Sequence, residues 1–214
     1  MQTFLHYGTK YESGYFHVWI SSTEQATFFT SDIDKAFFLT LMQDTLSPRL
    51  KLKEHYPYHY HYSNDIDLLA FSLTNVGVHL LVHAACAAAI DEFGQTLLFA
   101  YGDYLQDQEH HASLPFDGAF VFDKLLGRHE ALQMSKKIHL LHEDWRGDRY
   151  SSIGFYVDDR RGDWMRPYRI TSLFEGNGRH YVRFLKSQET EGDTLFEKIS
   201  AQTASLQAGS SGNA

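Results

Sequence analysis

Ile66-Asp67-Leu68-Leu69-Ala70-Phe71-Ser72-Leu73 and Val78-His79-Leu80-Leu81-Val82 are two apolar runs separated by Thr74-Asn75-Val76-Gly77. Each run has strand length, and the segment between them carries the Asn and Gly of a turn. The stretch predicts two strands joined by a turn. Upstream, Tyr15–Ser21 is aromatic and β-branched and reads as another strand. Between them, Ser31 or Asp32 can cap a helix that runs to about Thr45, with Ala36, Phe37, Leu39, Leu41 and Met42 on its buried face and Pro48 beyond its end. Downstream lie a long helix-forming stretch over 84–106, a polar loop over 107–118, a strand at Ala119–Asp123 and a helix over 128–142. That helix points Ala131, Leu132, Ile138 and Leu141 inward.

The order strand, helix, strand, strand, helix, strand is that of a ferredoxin-like β-α-β-β-α-β sheet. This is an α+β fold, antiparallel, with its helices on one face. One domain is expected over 1–186, followed by a C-terminal extension and flexible tail over 187–214, where 192–208 holds a further short helix. Short elements and turns fill 149–178, with Gly176-Asn177-Gly178 as a tight-turn signal. Cys86, the single cysteine, cannot form an intrachain disulfide and reads as a buried thiol. The start of the chain lacks the pattern of a secretory leader, and no stretch approaches the length of a membrane span, so a cytoplasmic location and no membrane partner are expected.

Charge constrains the partners. The chain carries a formal net charge of −8, which opposes indiscriminate binding to a phosphate backbone. The distribution is uneven: residues 1–142 hold 9 Lys and Arg against 16 Asp and Glu, whereas 146–186 hold 9 against 5. An Arg-rich segment therefore sits inside an acidic chain. It serves either as a nucleic-acid contact or as an ordinary solvated surface of mixed charge.

Histidine is concentrated in 54–64, an alternating His/Tyr tract. His59 and His61 have strand-ligand spacing, and with His55, His79 and His83 they are candidate metal ligands; the alternative is a semi-exposed strand filled by His and Tyr. Walker-type loops, dinucleotide glycine fingerprints, cysteine pairs for zinc and the Gly-x-Ser-x-Gly elbow are all missing.

Four segments resemble the REP-associated and small insertion-sequence single-tyrosine HUH transposases. Asp32-Ile33-Asp34-Lys35-Ala36-Phe37-Phe38-Leu39-Thr40-Leu41 is similar to the family's first helix, and Leu69 to Val82 to its two central strands. Leu97-Leu98-Phe99-Ala100-Tyr101-Gly102-Asp103-Tyr104-Leu105 is similar to the following helix. Lys137-Ile138-His139-Leu140-Leu141-His142 with Arg149-Tyr150-Ser151-Ser152 is similar to the last helix and its corner. The resemblance covers about 15–170. Such enzymes cut single-stranded DNA with a tyrosine, using a divalent metal held by a His-hydrophobic-His strand and a polar side chain one helical turn after the tyrosine.

On these positions the chain has Gly77, His79, Lys137 and Leu141. Glycine and leucine hold no metal, and lysine forms no phosphotyrosine. The resemblance thus implies a transposase scaffold that binds single-stranded or hairpin DNA or RNA without cutting it. Candidate contacts are Arg128, Lys136, Lys137, Arg146, Arg149, Arg160 and Arg161. Two alternatives stand beside it. One is an active nuclease with a rearranged site, using His79, His83 and Tyr101 or Tyr104 as nucleophile, with Mg or Mn needed only in that case and no cofactor otherwise. The other is a protein-interaction component with a protein partner and no nucleic acid. A homodimer is implied by the resemblance alone.

Overall fold

The computed structural model describes residues 12–22, 27–48, 61–107, 118–157 and 160–187. The elements run β1 (Gly14–Ser22), α1 (Asp32–Leu46), β2 (Ile66–Thr74), β3 (Gly77–Ala84), α2 (Ala87–Asp107), β4 (Gly118–Leu125) and α3 (Arg128–His139). A 3-10 turn at Ser152–Phe155, the short helix α4 (Tyr168–Thr171), a second 3-10 turn at Ser172–Phe174 and helix α5 (Gly178–Lys186) follow. The sheet order is β2-β3-β1-β4, antiparallel throughout. This is the ferredoxin-like order expected from the element sequence. Most of the His/Tyr tract, including His55 and His59, and the helix expected within 192–208 lie outside the described residues.

Local signals explain the elements. Ser31 caps α1 by accepting from the Asp34 backbone N–H, while the Asp34 carboxylate reaches back to the Ser31 N–H at 2.9 Å. This reciprocal capping box satisfies two otherwise orphan donors. In β1, Phe16, Val18 and Ile20 are buried while Tyr15, His17 and Trp19 between them are half-buried, because alternate residues of a strand face opposite sides of a sheet. The first set joins Leu68, Phe71 and Leu73 of β2 and Val78, Leu80 and Val82 of β3 in a core beneath α1 and α2.

The opposite face is also covered, which the expectation of helices on one face did not include. A β-bulge between Leu68 and Ala70 turns both Leu69 and Ala70 toward that side. With Leu81 they form a second core against Ala131, Leu132 and Ile138 of α3 and Tyr156, Ile170, Phe174, Tyr181 and Phe184 further on. The same C-terminal segment seals the outer edge of β2. The Leu73 N–H donates to the Tyr150 carbonyl at 2.9 Å and the Arg166 N–H to the Leu68 carbonyl at 2.8 Å. Pairing the edge this way removes a row of orphan backbone groups. The Gly176-Asn177-Gly178 signal is realised as a helix start: Gly176 has φ 70°, and the Asn177 side chain accepts from the Arg179 N–H at 3.0 Å to cap α5.

A buried polar chain ties the second core together. The Phe71 N–H lies 2.8 Å from Ser152 Oγ, which is 2.7 Å from His139 Nε2; His139 Nδ1 is 2.7 Å from the Tyr181 hydroxyl. Tyr181 donates to Ser135 Oγ at 3.0 Å, and Ser135 to the Leu132 carbonyl at 2.7 Å. With His139 neutral, one proton arrangement satisfies all of these links, at the expense of a longer contact from Ser152 Oγ to the Phe71 carbonyl at 3.2 Å. Ser152 donates to Nε2 and Nδ1–H donates to Tyr181, since each hydroxyl has a single proton. His139 is therefore the Nδ1–H neutral tautomer, and burial pushes its pKa down to about 3.

Four side-chain expectations are corrected. Ala36, expected on the buried face of α1, is exposed, and Phe38 is buried there. Leu141 lies past the end of α3 and is 43% exposed rather than inward. Cys86 is half-buried, not enclosed. Lys136 is buried, with its ammonium on the Phe184 carbonyl at 3.1 Å and the Ser187 carbonyl at 2.6 Å. It caps the C-terminal end of α5 and is removed from the surface contacts. Among the described residues, no helix is long and apolar enough to cross a membrane.

Candidate nucleic-acid interface

The second face of the sheet is only partly covered. α3 and the C-terminal segment lie chiefly over β2 and β3, where Leu69, Ala70 and Leu81 are fully buried. Toward β4 the cover ends, and Val121, the cross-strand neighbour of Trp19, is 60% exposed. This leaves a half-open notch. Its floor is built by the half-buried alternate residues of β1 and β3: His17, Trp19 and His79. Asp123 of β4 stands directly across from His17. Exposed Lys137, near the end of α3, is close enough to raise the cost of protonating His17.

Two imidazoles organise the floor. His17 Nε2 and His79 Nδ1 are 3.0 Å apart, with ring planes inclined by 9°. One ring N–H donates to the other ring's lone pair, so at least the accepting ring is neutral. Burial holds the His17 pKa below its ordinary value, opposed by Asp123 and reinforced by Lys137. Burial first, then His17, lowers His79 to about 4. The Trp19 ring lies on His79, with centroids 3.9 Å apart at 32°. Gly77 permits this, because a Cβ there would fall 2.8 Å from the Trp19 ring and 2.2 Å from the Ile20 carbonyl oxygen. No side chain at residue 77 can stand beside His79 while β1 keeps its place. Ser72, across from His79 on β2, has a buried hydroxyl without a partner among the described residues.

The expected metal set does not assemble. His79 and His83 share a strand face but are four residues apart, roughly 13 Å at the rise of a strand, too far for one ion. His83 instead packs edge-on to Tyr15 at 5.0 Å. His61 is exposed and His59 lies outside the described residues. Among the described residues no three His, Cys, Asp or Glu converge as a metal site.

The expected alternative nucleophiles are on the wrong side of the sheet. Tyr101 is fully buried in the core under α1 and α2, donating to the Phe28 carbonyl at 3.1 Å, and burial raises its pKa. Tyr104 stacks on Phe37 at 3.8 Å and donates to Asp34 at 3.2 Å; its pKa is also raised, by burial first and then by the Asp34 carboxylate. The sheet separates both hydroxyls from His79, so neither attacks a phosphate held there.

The basic candidates divide. Arg160 is a structural clamp: its guanidinium donates to the carbonyls of Asp148 at 2.9 Å, Arg149 at 2.8 Å and Ser151 at 2.7 Å. Arg149 is exposed but paired with Asp32 and lies over the Tyr150 ring. Arg128, Lys137, Arg146 and Arg161 are exposed. Arg128 starts α3, about two and a half turns before Lys137 and so on the other side of the helix. Arg146 lines a separate cleft of about 380 Å³ with Val157, Asn177, Gly178 and Arg179. The Arg-rich segment is thus not one patch.

Sequence reasoning missed His17, Trp19 and Asp123. Period-two alternation in β1 puts Tyr15, His17 and Trp19 opposite the apolar Phe16, Val18 and Ile20, so the signal was available for the first two. No family model, curated protein or solved structure matches the chain.

Proposed function

We propose that this chain is a catalytically inactive, transposase-derived protein that binds single-stranded or hairpin nucleic acid. The observation that carries the reading is how Gly77, His79 and Lys137, from β3 and α3, gather on the ring cluster of one notch: Gly77 lies against Trp19, His79 is bonded to His17, and the Lys137 charge acts on His17. These are the positions that the resemblance assigns to the first metal histidine, the second and the nucleophilic tyrosine. The second keeps its histidine, while the chemistry of the first and third is changed together. The space beside His79 is filled by Trp19 and the Ile20 backbone, and the third position carries an ammonium, which attracts a phosphate and forms no phosphotyrosine. Leu141, one turn on, has no metal-binding atom. A notch with a cation at its rim and neutral rings on its floor suits a phosphate and an unpaired base better than it suits hydrolysis.

Titration of the full-length protein with fluorescently labelled hairpins and single strands over a salt series tests the proposal. Affinity should fall linearly with log salt, by roughly 0.7 log units per phosphate contact on a single strand. The strands should stay intact with Mg²⁺ or Mn²⁺. Metal-dependent nicking would show the inactive reading to be wrong. Failure to bind at low salt would favour the protein-interaction alternative, which the acidic net charge permits.

A further inference from the structure

We infer that the notch binds an unstacked nucleobase of a single strand on the face of Trp19 away from His79, with the adjoining phosphate on Lys137. This rests on the nucleic-acid-binding reading and names the part of the ligand that the sheet face takes.

Three features converge on a base. The indole is a half-buried plane with a ring against one of its faces. His79 is the one ring against it among the described residues, at 3.9 Å, and Gly77 leaves room for it to lie flat across β3. Its Nε1–H has no acceptor among the described residues and is not fully enclosed. An indole N–H that leaves water normally finds a partner, so this donor is available to a carbonyl or ring nitrogen on a ligand edge. Val121 beside it is 60% exposed and extends the apolar floor toward β4.

The charges fit the same occupant. Lys137 is an exposed cation with no carboxylate partner among the described residues, at the edge of the ring cluster. Asp123, exposed on the far side of His17, repels a backbone that strays toward β4. A phosphodiester is thereby confined to the α3 side while its base reaches the floor. A base paired in a duplex keeps both faces stacked and cannot lie on the indole, so the notch selects single strands, hairpin loops and frayed ends. Stacking is tolerant of base identity.

The test compares a 15-nucleotide oligodeoxythymidine, the matching oligouridine and an abasic strand of equal length and charge, on the full-length protein. The thymidine strand should bind at least about tenfold more tightly than the abasic one. Trp19→Leu should remove that advantage, and Trp19→Phe, which keeps a plane, should retain most of it. The deoxythymidine and uridine strands should differ little, since the 2′-hydroxyl does not meet the indole. If wild-type protein binds thymidine and abasic strands equally, stacking is wrong and backbone binding stands. That comparison needs no variant, so it decides even if Trp19→Leu does not fold. If no strand binds the wild-type protein, the binding reading itself fails, and stacking with it.

Discussion

Trp19 and Gly77 compete for one space between β1 and β3. A Cβ on residue 77 would meet the indole Cη2 at 2.8 Å, and the Ile20 carbonyl oxygen even more closely, at 2.2 Å. The nearer obstacle is backbone, which cannot swing away. Gly77→His should therefore fail to rebuild a two-histidine metal site and should destabilise the fold by about 3 kcal/mol. Trimming the indole should not rescue it: Gly77→Ala should cost nearly as much in a Trp19→Ala background as alone. Urea unfolding of the four proteins measures this, and full rescue would show that the indole alone is the obstacle.

Neighbouring lysines should behave oppositely. Lys136 Nζ is committed to two carbonyls at the end of α5, while Lys137 is exposed at the notch. Lys136→Met should lower stability by about 1–3 kcal/mol, since charged hydrogen bonds to the backbone are lost, and leave oligonucleotide affinity unchanged where the protein is folded. Lys137→Ala should leave stability unchanged within about 0.5 kcal/mol and reduce the salt slope of binding to a single strand by about 0.7. The reverse pattern would exchange the two roles.

Much of this is legible in the sequence. The hairpin Ile66–Ala84 is fixed by apolar runs around an Asn and Gly turn, and the start of α1 by Ser31 and Asp34 three residues apart. The inward turn of Lys136 was also readable: Leu132 and Lys136 lie one helical turn apart on the arc of α3 that carries Ser135 and His139, while Lys137 lies off it. The second core was not readable. Ile153, Tyr156, Ile170 and Phe174 sit in turns and four-residue elements too short to show a period. Their packing depends on a bulge at Leu69 that no local signal announces. The alternative nucleophiles were misplaced for a topological reason. Tyr101 and Tyr104 look near His79 along the chain, yet α2 packs on the opposite face of the sheet from the one His79 occupies.

The buried chain through His139 makes acid the condition that loosens α3. His139 is neutral when folded, with its pKa near 3, whereas the unfolded chain protonates near 6.5. Because the unfolded state binds the extra proton, this stability is fully present above about pH 6.5 and is lost as the pH falls toward 3. By pH 5 the loss from this group is about 2 kcal/mol, and the lowered His17, His79 and His83 act in the same direction. His139→Gln should be less stable at pH 7 but lose about 2 kcal/mol less between pH 7 and 5. Parallel slopes for the two proteins would mean that His139 titrates normally.

Tyr181→Phe should cost about 1–3 kcal/mol, because the His139 Nδ1–H and the Ser135 hydroxyl lose a buried partner while the packing volume is kept. Hydrogen exchange should quicken first in α3 and α5, which the chain joins, and later in β1. Uniform quickening across the sheet would argue that the chain does not hold the second layer separately.

The most direct test of the central claim is to isolate the protein from its native cells at low salt and sequence what remains bound. Enrichment of particular hairpins or single strands, intact and without a covalent link to the protein, is the expected result. A preparation free of nucleic acid, or one carrying cleaved strands joined to the protein, would contradict it.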